Sequence, residues 1–330
     1  MSTNLTDLFE SLVLPLEQPT ARSLSAVPIP GSESHRLAKD ASGAPCLLLR
    51  EPPSSRPTAP TRLQNLMVSY GMPCIVTQPG GAQEQGTFTI IKCSSVDPSL
   101  FPHFLRILSP IVMTLGPRPT GAAVRRAISG LVDLFQALAT PAKKSVQGLW
   151  AELMLIRDSS NPRRAAAAWH GTPQEHIDFV SGSERFEVKS SSNRERVHYF
   201  SLIQLTPPAA ARLLVASLFV ERVGGGLSLG RLFEEIRGLL ASDAALLSRC
   251  DTVFYASVGA GWSDAMEECF DAELARESLK FFDAGKIPRI DSPIPAAVAD
   301  VRFSSDLSSS APLRLSDLGG AGDLFAAMVR

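Results

Sequence analysis

The stretch HIDFVSGSERFEVKS, His176 to Ser190, reads as a tight β-hairpin with one apolar face and one charged face. Ser181, Gly182, Ser183 and Glu184 carry the turn signal: small polar residues and a glycine tolerate the backbone angles of a reversal. With these four in the loop, the strands His176–Val180 and Arg185–Ser190 pair Val180 with Arg185, Phe179 with Phe186, Asp178 with Glu187, Ile177 with Val188, and His176 with Lys189. Directly opposed residues project to the same side of a sheet, and side chains alternate along each strand. Ile177, Phe179, Phe186 and Val188 therefore share one face, and His176, Asp178, Glu187 and Lys189 share the other.

Opposed acids repel, and such a pair destabilises a hairpin unless a cation lies between them. A divalent ion suits the position, because one or two carboxylates, with water and phosphate completing the shell, is how proteins usually hold Mg²⁺. The backbone carbonyl of Val188 offers a further ligand, and Lys189 sets a point charge beside it. The bland alternative is an exposed hairpin of mixed charge, since Glu-x-Lys is a common tripeptide.

A helix precedes the hairpin. Ser145 is its N-cap, and Val146, Leu149, Trp150, Leu153 and Ile156 form its buried stripe. Glu152 lies three residues after Leu149 and four before Ile156, so it borders that stripe. A carboxylate there is paired, protonated or metal-facing, because a bare buried charge is costly, unless it simply reaches water from the helix edge.

Upstream, Leu5, Leu8, Phe9 and Leu12 recur at helical spacing, and the short apolar runs between Arg36 and Lys92 read as strands separated by Pro, Gly and Ser clusters. The proline-rich segment 51–61 reads as a loop. A helix from about Ser99 is expected to break near Pro102, and a second spans the run TGAAVRRAISGLVDLFQAL. After the first helix of the second half, NPRRAAAAWHGTP reads as a basic, alanine-rich link. Beyond the hairpin the expected order is a short strand at 197–200, a strand over 213–223 ending in a GGG turn, and a helix capped by Ser228. A buried strand DTVFYASV, a strand within VADVRFSSDL and a C-terminal helix around 315–329 follow. The expected division is an N-terminal α+β module, 1–139, and an α/β domain, 140–330.

With 330 residues and 45% apolar content the chain has ample material for real cores, and its formal net charge of −1 gives no global attraction to nucleic acid. Five scattered cysteines without Cys-x-x-Cys spacing read as reduced thiols of a cytoplasmic protein, with no structural zinc. No basic leader and no apolar run long enough for a membrane span are visible.

Glu152 on a helix, then Asp178, then Glu187-x-Lys189 on adjacent strands resembles the PD-(D/E)XK nuclease superfamily, with Ile177 where the superfamily's proline would stand. The runs GLWAELMLI, AWHG, IDFV, FEVKSSS and SLIQL are similar, more narrowly, to a bacterial family of PD-(D/E)XK members tied to phage defence and restriction-like loci. The likeness extends over most of the chain. It implies a restriction-endonuclease-like core, a central mixed β-sheet flanked by helices, behind the N-terminal module. It also implies Asp178 and Glu187 as metal ligands, Lys189 as the group that positions or activates water, Glu152 as an outer or second-metal carboxylate, and Gln204 as a polar contact near the metal. The implied activity is Mg²⁺-dependent phosphodiester cleavage of DNA, with Mn²⁺ as substitute; a catalytically silent nuclease-fold subunit that binds DNA or scaffolds a defence complex, and an RNase, are the rivals. Arg163, Arg164, His176, Arg194 and Arg196 flank the hairpin as candidate phosphate contacts, although arginines in loops commonly just face solvent. His198, Trp150 and Trp169 read as structural. Defence-system partner proteins and homodimerisation remain open.

Overall fold

Apolar alternation between residues 23 and 93 gives strands, and three-to-four-residue periodicity after residue 99 gives helices, in accord with the two spacings that bury one face of each element. The computed structural model describes residues 5–15, 23–50, 58–78, 83–169, 176–206, 208, 210–295, 297–318 and 322–328. The chain divides into two units, Met1–Thr140 with Asp243–Thr252, and Pro141–Ser242 with Val253–Arg330.

The first unit contains α1 (Leu5–Glu10), β1 (Ser23–Pro28), β2 (His35–Asp40), β3 (Pro45–Arg50), β4 (Thr61–Arg62), β5 (Leu66–Thr77), β6 (Gln83–Cys93), α2 (Leu100–Leu115) and α3 (Gly121–Ala137). The sheet runs β1-β2-β3-β6-β5-β4, and a parallel pairing of β1 with β5 closes the first five strands into a ring. All five strands contribute to one cluster: Leu24, Ala26, Ala38, Cys46, Leu48, Cys74, Val76 and Phe88. Ring closure removes the open edges that a twisted sheet would otherwise expose. The segment 51–57, most of the expected proline-rich loop, lies outside the described residues.

The second unit carries α4 (Val146–Asp158), α5 (Pro162–Ala168), β7 (Phe179–Ser181), β8 (Glu184–Ser191), β9 (Val197–Ser201), β10 (Arg212–Phe219), β11 (Arg222–Ser228) and α6 (Leu229–Leu240). It continues with α7 (Ala244–Val258), whose first half counts with the other unit, then α8 (Trp262–Glu267), β12 (Cys269–Phe270), α9 (Ala272–Ser278), β13 (Lys280–Asp283), β14 (Arg302–Asp306) and α10 (Asp323–Met328). Its central sheet has the order β13-β10-β8-β7; β8 and β10 run parallel, and the outer pairs are antiparallel. This is the mixed sheet with flanking helices that the sequence led us to expect.

Strand register sorts the residues of β8 between two covered faces. Phe186 lies level with Leu214 and meets the rings of Phe281 and Phe325 at 5.8 and 5.1 Å, so α10 closes that side. Glu187 lies level with Val215, which packs with Phe200, Leu213, Phe282 and Leu307 under the β9–β14 ribbon. Both faces being buried, any charge on the second one needs a partner.

Several local readings are corrected. The hairpin keeps the expected register, Phe179 with Phe186 and Val180 with Arg185, but Ser181 and Glu184 also pair, which leaves Gly182 (φ 58°) and Ser183 as a two-residue turn. β7 starts only at Phe179, and Ile177 packs with the Phe200 and Val215 cluster, so it does not share the face of Phe179 and Phe186. α2 runs unbroken through Pro102, because amide groups of a first helical turn have no intrahelical partner to lose. The alanine-rich link is helix α5, started by the Asn161 side chain and Pro162. DTVFYASV belongs to helix α7: buried Leu247, Cys250, Phe254 and Val258 keep helical spacing despite their β-favouring neighbours. The expected strand over 213–223 is two strands, β10 and β11, and the glycine run lies inside β11, where a Cβ on Gly226 would stand 2.4 Å from the Phe270 carbonyl oxygen. The C-terminal helix is limited to Asp323–Met328, after a single 3₁₀ turn at Leu315–Leu318.

Candidate metal centre

The helix cap sets the first group. Ser145 accepts from the Gly148 amide at 3.1 Å, which starts α4 and places Glu152 in its buried middle at 3% exposure. The two Glu152 oxygens are divided between Trp169, whose indole Nε1 donates at 2.8 Å, and Lys144, whose Nζ donates at 2.5 Å. Trp169 is thus a core residue, as read, and also the residue that aims Glu152.

The shortness of β7 sets the second group. Where the ladder stops at Phe179, the Val188 amide donates instead to Asp178 Oδ2 at 2.8 Å. The N–H and C=O of one strand residue point to the same edge, so the Val188 carbonyl is turned toward the same gap. Asp178 Oδ1 accepts from Lys144 Nζ at 2.6 Å, so a single ammonium spans Glu152 and Asp178. The directly opposed Asp178–Glu187 strand pair is not formed; Asp178 reaches the neighbourhood from the break just before β7.

The third group lies on β8. Glu187 is 2% exposed, and its Oε1 accepts from Lys189 Nζ at 2.7 Å and from Gln204 Nε2 at 2.5 Å. Its Oε2 is buried and has no hydrogen-bond partner among the described residues. Gln204 is fixed by a turn after β9: its Oε1 accepts from the Ser201 amide at 3.0 Å, and its Nε2 also donates to the His176 carbonyl at 3.1 Å. Lys189 Nζ rests 4.9 Å from the centroid of the Phe200 ring.

Three carboxyl groups lie against two ammonium groups, so full ionisation would leave an excess of negative charge where water has little access. Burial, and then the charge of Asp178, push Glu152 and Glu187 up to about 8 despite the nearby lysines. Burial works in the same direction on Asp178, but the Lys144 charge and hydrogen bond and the Val188 amide outweigh it and hold that carboxyl below its usual range. Burial would lower Lys144; the charges of Glu152 and Asp178 outweigh it and raise that amine.

All five residues singled out in the sequence, Glu152, Asp178, Glu187, Lys189 and Gln204, are therefore brought into one cluster. Lys144 was missed. It had a signal: a cation immediately before a helix N-cap opposes the positive end of the helix dipole, so its presence there calls for an acidic partner. The flanking arginines divide. Arg163 and Arg164 are exposed, against the Ser242 hydroxyl and Asp323, and Arg194 holds Glu221 through two bonds of 2.5 and 3.0 Å. Arg196 does not face solvent: it is buried, donates to Ser217 and to the Ser278 carbonyl, and lies over the Phe219 and Phe282 rings. That side chain is a packing element, unavailable to phosphate. His176 is exposed. His198 is structural as read, bonded to the Ser217 hydroxyl at 2.8 Å and lowered to about 4 by burial and then by Lys189 and Arg196.

A family model described as "putative PD-(D/E)XK family member (DUF4420)" matches residues 6–308. The chain belongs to this family. In DUF4420 terms, the match takes in the ring of strands as well as the sheet that carries the carboxylates. Comparison with curated proteins finds no match, and comparison with solved structures finds none either. The family assignment and the mixed α/β sheet point to a nuclease-like protein. Among the described residues no helix is long and apolar enough to cross a membrane.

The cluster was tested for fit to a divalent cation on its own chemistry. Among the described residues, no three acidic, imidazole or thiol groups already converge as a ready-made metal cage. The reason is visible: Lys144 occupies the space between Glu152 and Asp178, and Glu187 is drawn to Lys189 and Gln204. The carboxyl oxygens of Glu152, Asp178 and Glu187, one of them without a hydrogen-bond partner among the described residues, are hard donors, and the ammonium that already bridges two of them shows that the position suits a cation.

Proposed function

We propose that this protein is a divalent-metal-dependent phosphodiesterase, a DNA endonuclease, with Mg²⁺ as the ion and Mn²⁺ as substitute. One observation carries the reading: the buried Glu152 and Glu187 and the part-buried Asp178 lie together, and one Glu187 oxygen has no hydrogen-bond partner among the described residues. Asp178, Glu187 and the Val188 carbonyl would hold the ion, with Glu152 as an outer or second-metal carboxylate. When bound, the ion lowers the pKa of water and offsets the charge that develops on the phosphate. Lys189, steadied by Glu187, Gln204 and the Phe200 ring, holds a proton-handling cation beside the donors. Gln204 fixes the rotamer of Glu187, and the Trp169 indole does the same for Glu152.

Asp178→Ala and Lys189→Ala are each expected to abolish Mg²⁺-dependent cleavage of labelled duplex or single-stranded DNA while circular dichroism stays unchanged; wild-type cutting by both variants refutes the assignment. An RNA substrate run in parallel decides the sugar. The exposed Arg163, Arg164 and Arg194 and His176 are the proposed phosphate contacts, and their removal should flatten the salt dependence of DNA binding. Five free cysteines, four of them buried, fit a reducing cytoplasm. The likeness to defence-linked chains extends the proposal to restriction of phage DNA, read by plaque counts with and without an intact Asp178. A second reading, a silent nuclease-fold subunit that binds DNA or scaffolds a defence complex, is favoured by one observation: Lys144 already bridges two of the three acids.

A further inference from the structure

We infer that Lys144 is a built-in substitute cation: its ammonium holds the Glu152–Asp178 position in the metal-free protein, and a divalent ion must displace it to load. The inference rests on the metal-dependent reading above and adds a residue to it. Three observations support it. First, Lys144 Nζ lies 2.5 Å from Glu152 Oε1 and 2.6 Å from Asp178 Oδ1, so one amine completes the two carboxylates that come from α4 and from the break before β7. Second, the other oxygen of each acid is engaged elsewhere: Trp169 takes that of Glu152 and the Val188 amide takes that of Asp178. Third, the amine is the outward-facing member of the trio, its side chain 27% exposed against 4% for Glu152 and 12% for Asp178, so it has water to move into.

Lys189 cannot serve this purpose. It binds the Glu187 oxygen that Gln204 also binds, and a ring lies beneath it. The two lysines thus differ in kind: one stays with its carboxylate, the other guards a vacancy-forming pair. Lys144 precedes the helix cap, where the chain is not yet held by helical hydrogen bonds, so its side chain swings without unwinding α4. The consequence is a threshold: the protein keeps the fold of the site without metal, and it loads only an ion that outcompetes an ammonium for two carboxylates.

Mn²⁺ titration by calorimetry of wild type, Lys144→Met, Lys144→Arg and Asp178→Ala tests this. Lys144→Met should bind Mn²⁺ about tenfold tighter or more, since a charge-assisted competitor is gone, and Lys144→Arg should stay within about twofold of wild type. In the wild type, Mn²⁺ should speed reductive methylation of the Lys144 amine, read peptide by peptide in mass spectrometry, and this second readout decides the matter should Lys144→Met fail to fold. Unchanged or weaker Mn²⁺ binding by folded Lys144→Met, or in its absence Lys144 methylation that Mn²⁺ leaves unchanged, overturns the inference; if Asp178→Ala still loses the ion, the metal reading survives it. Mn²⁺ binding that is absent in the wild type or unaffected by Asp178→Ala overturns the metal reading and the inference together.

Discussion

Glu184 and Glu187 stand three residues apart on β8, both buried, and face opposite sides of the same sheet. Glu184 is fully answered: its oxygens accept from the backbone amides of Gly322, Leu324 and Phe325 at 2.6, 2.9 and 3.1 Å, at the start of α10. Fixed dipoles at a helix start suit a carboxylate permanently, and the fit is close enough that a Cβ on Gly322 would stand 2.8 Å from Glu184 Cδ. Glu187 is answered on one oxygen only, shares its surroundings with a second and a third acid, and is pushed up to about 8 by burial and Asp178. A carboxylate whose needs are met by main chain is architecture; one whose needs exceed what the protein offers is a place for something else.

Replacing the two in turn should separate these roles. Glu187→Gln is expected to lower metal-dependent cleavage by roughly a thousandfold or more, because it removes a proposed ligand and frees Lys189, with little change in the denaturation midpoint. Glu184→Ala should do the reverse, costing roughly 2–4 kcal/mol of stability in urea titrations by leaving the buried Leu324 and Phe325 amides without an acceptor, while Mn²⁺ affinity holds within about twofold. Equal effects of the two on stability would erase the distinction.

Acidity gives a finer contrast. Glu152 and Glu187 keep protons that their unfolded counterparts release above about pH 4.5, so their contribution to metal-free stability falls as pH rises from there toward 8. Protons and metal compete for the same oxygens, so the gain in Tm on adding Mn²⁺ should grow between pH 6 and 8.5; a gain that is flat with pH would detach these acids from the ion. The smallest expected effect belongs to Gln204→Ala, about a tenfold loss of cleavage rate, since Glu187 keeps Lys189 when its amide partner goes.

Much of the site could be read along the chain because its parts are local. Ser145 starts a helix whose period buries Glu152, and the hairpin register follows from a two-stranded pattern around one glycine. The readings that failed did so where neighbours in space override propensity: DTVFYASV has strand-forming residues yet joins a helix, and the glycine run looks like a turn until Phe270 requires close approach. Arg196 is indistinguishable in sequence from Arg194, and only the Ser217 hydroxyl and two phenyl rings make it internal.

By itself, then, the order of amino acids marked out the side chains that meet in the candidate site, since a helix period and a strand alternation are properties of adjacent residues. It could not determine how those side chains satisfy one another. Lys144 meets Asp178 across 34 positions and Glu184 meets Phe325 across 141, contacts that exist only once both faces of the sheet are covered. Burial then makes each unmet charge expensive, and that cost, which no local pattern encodes, separates the acid that pins a helix from the acids of the candidate site.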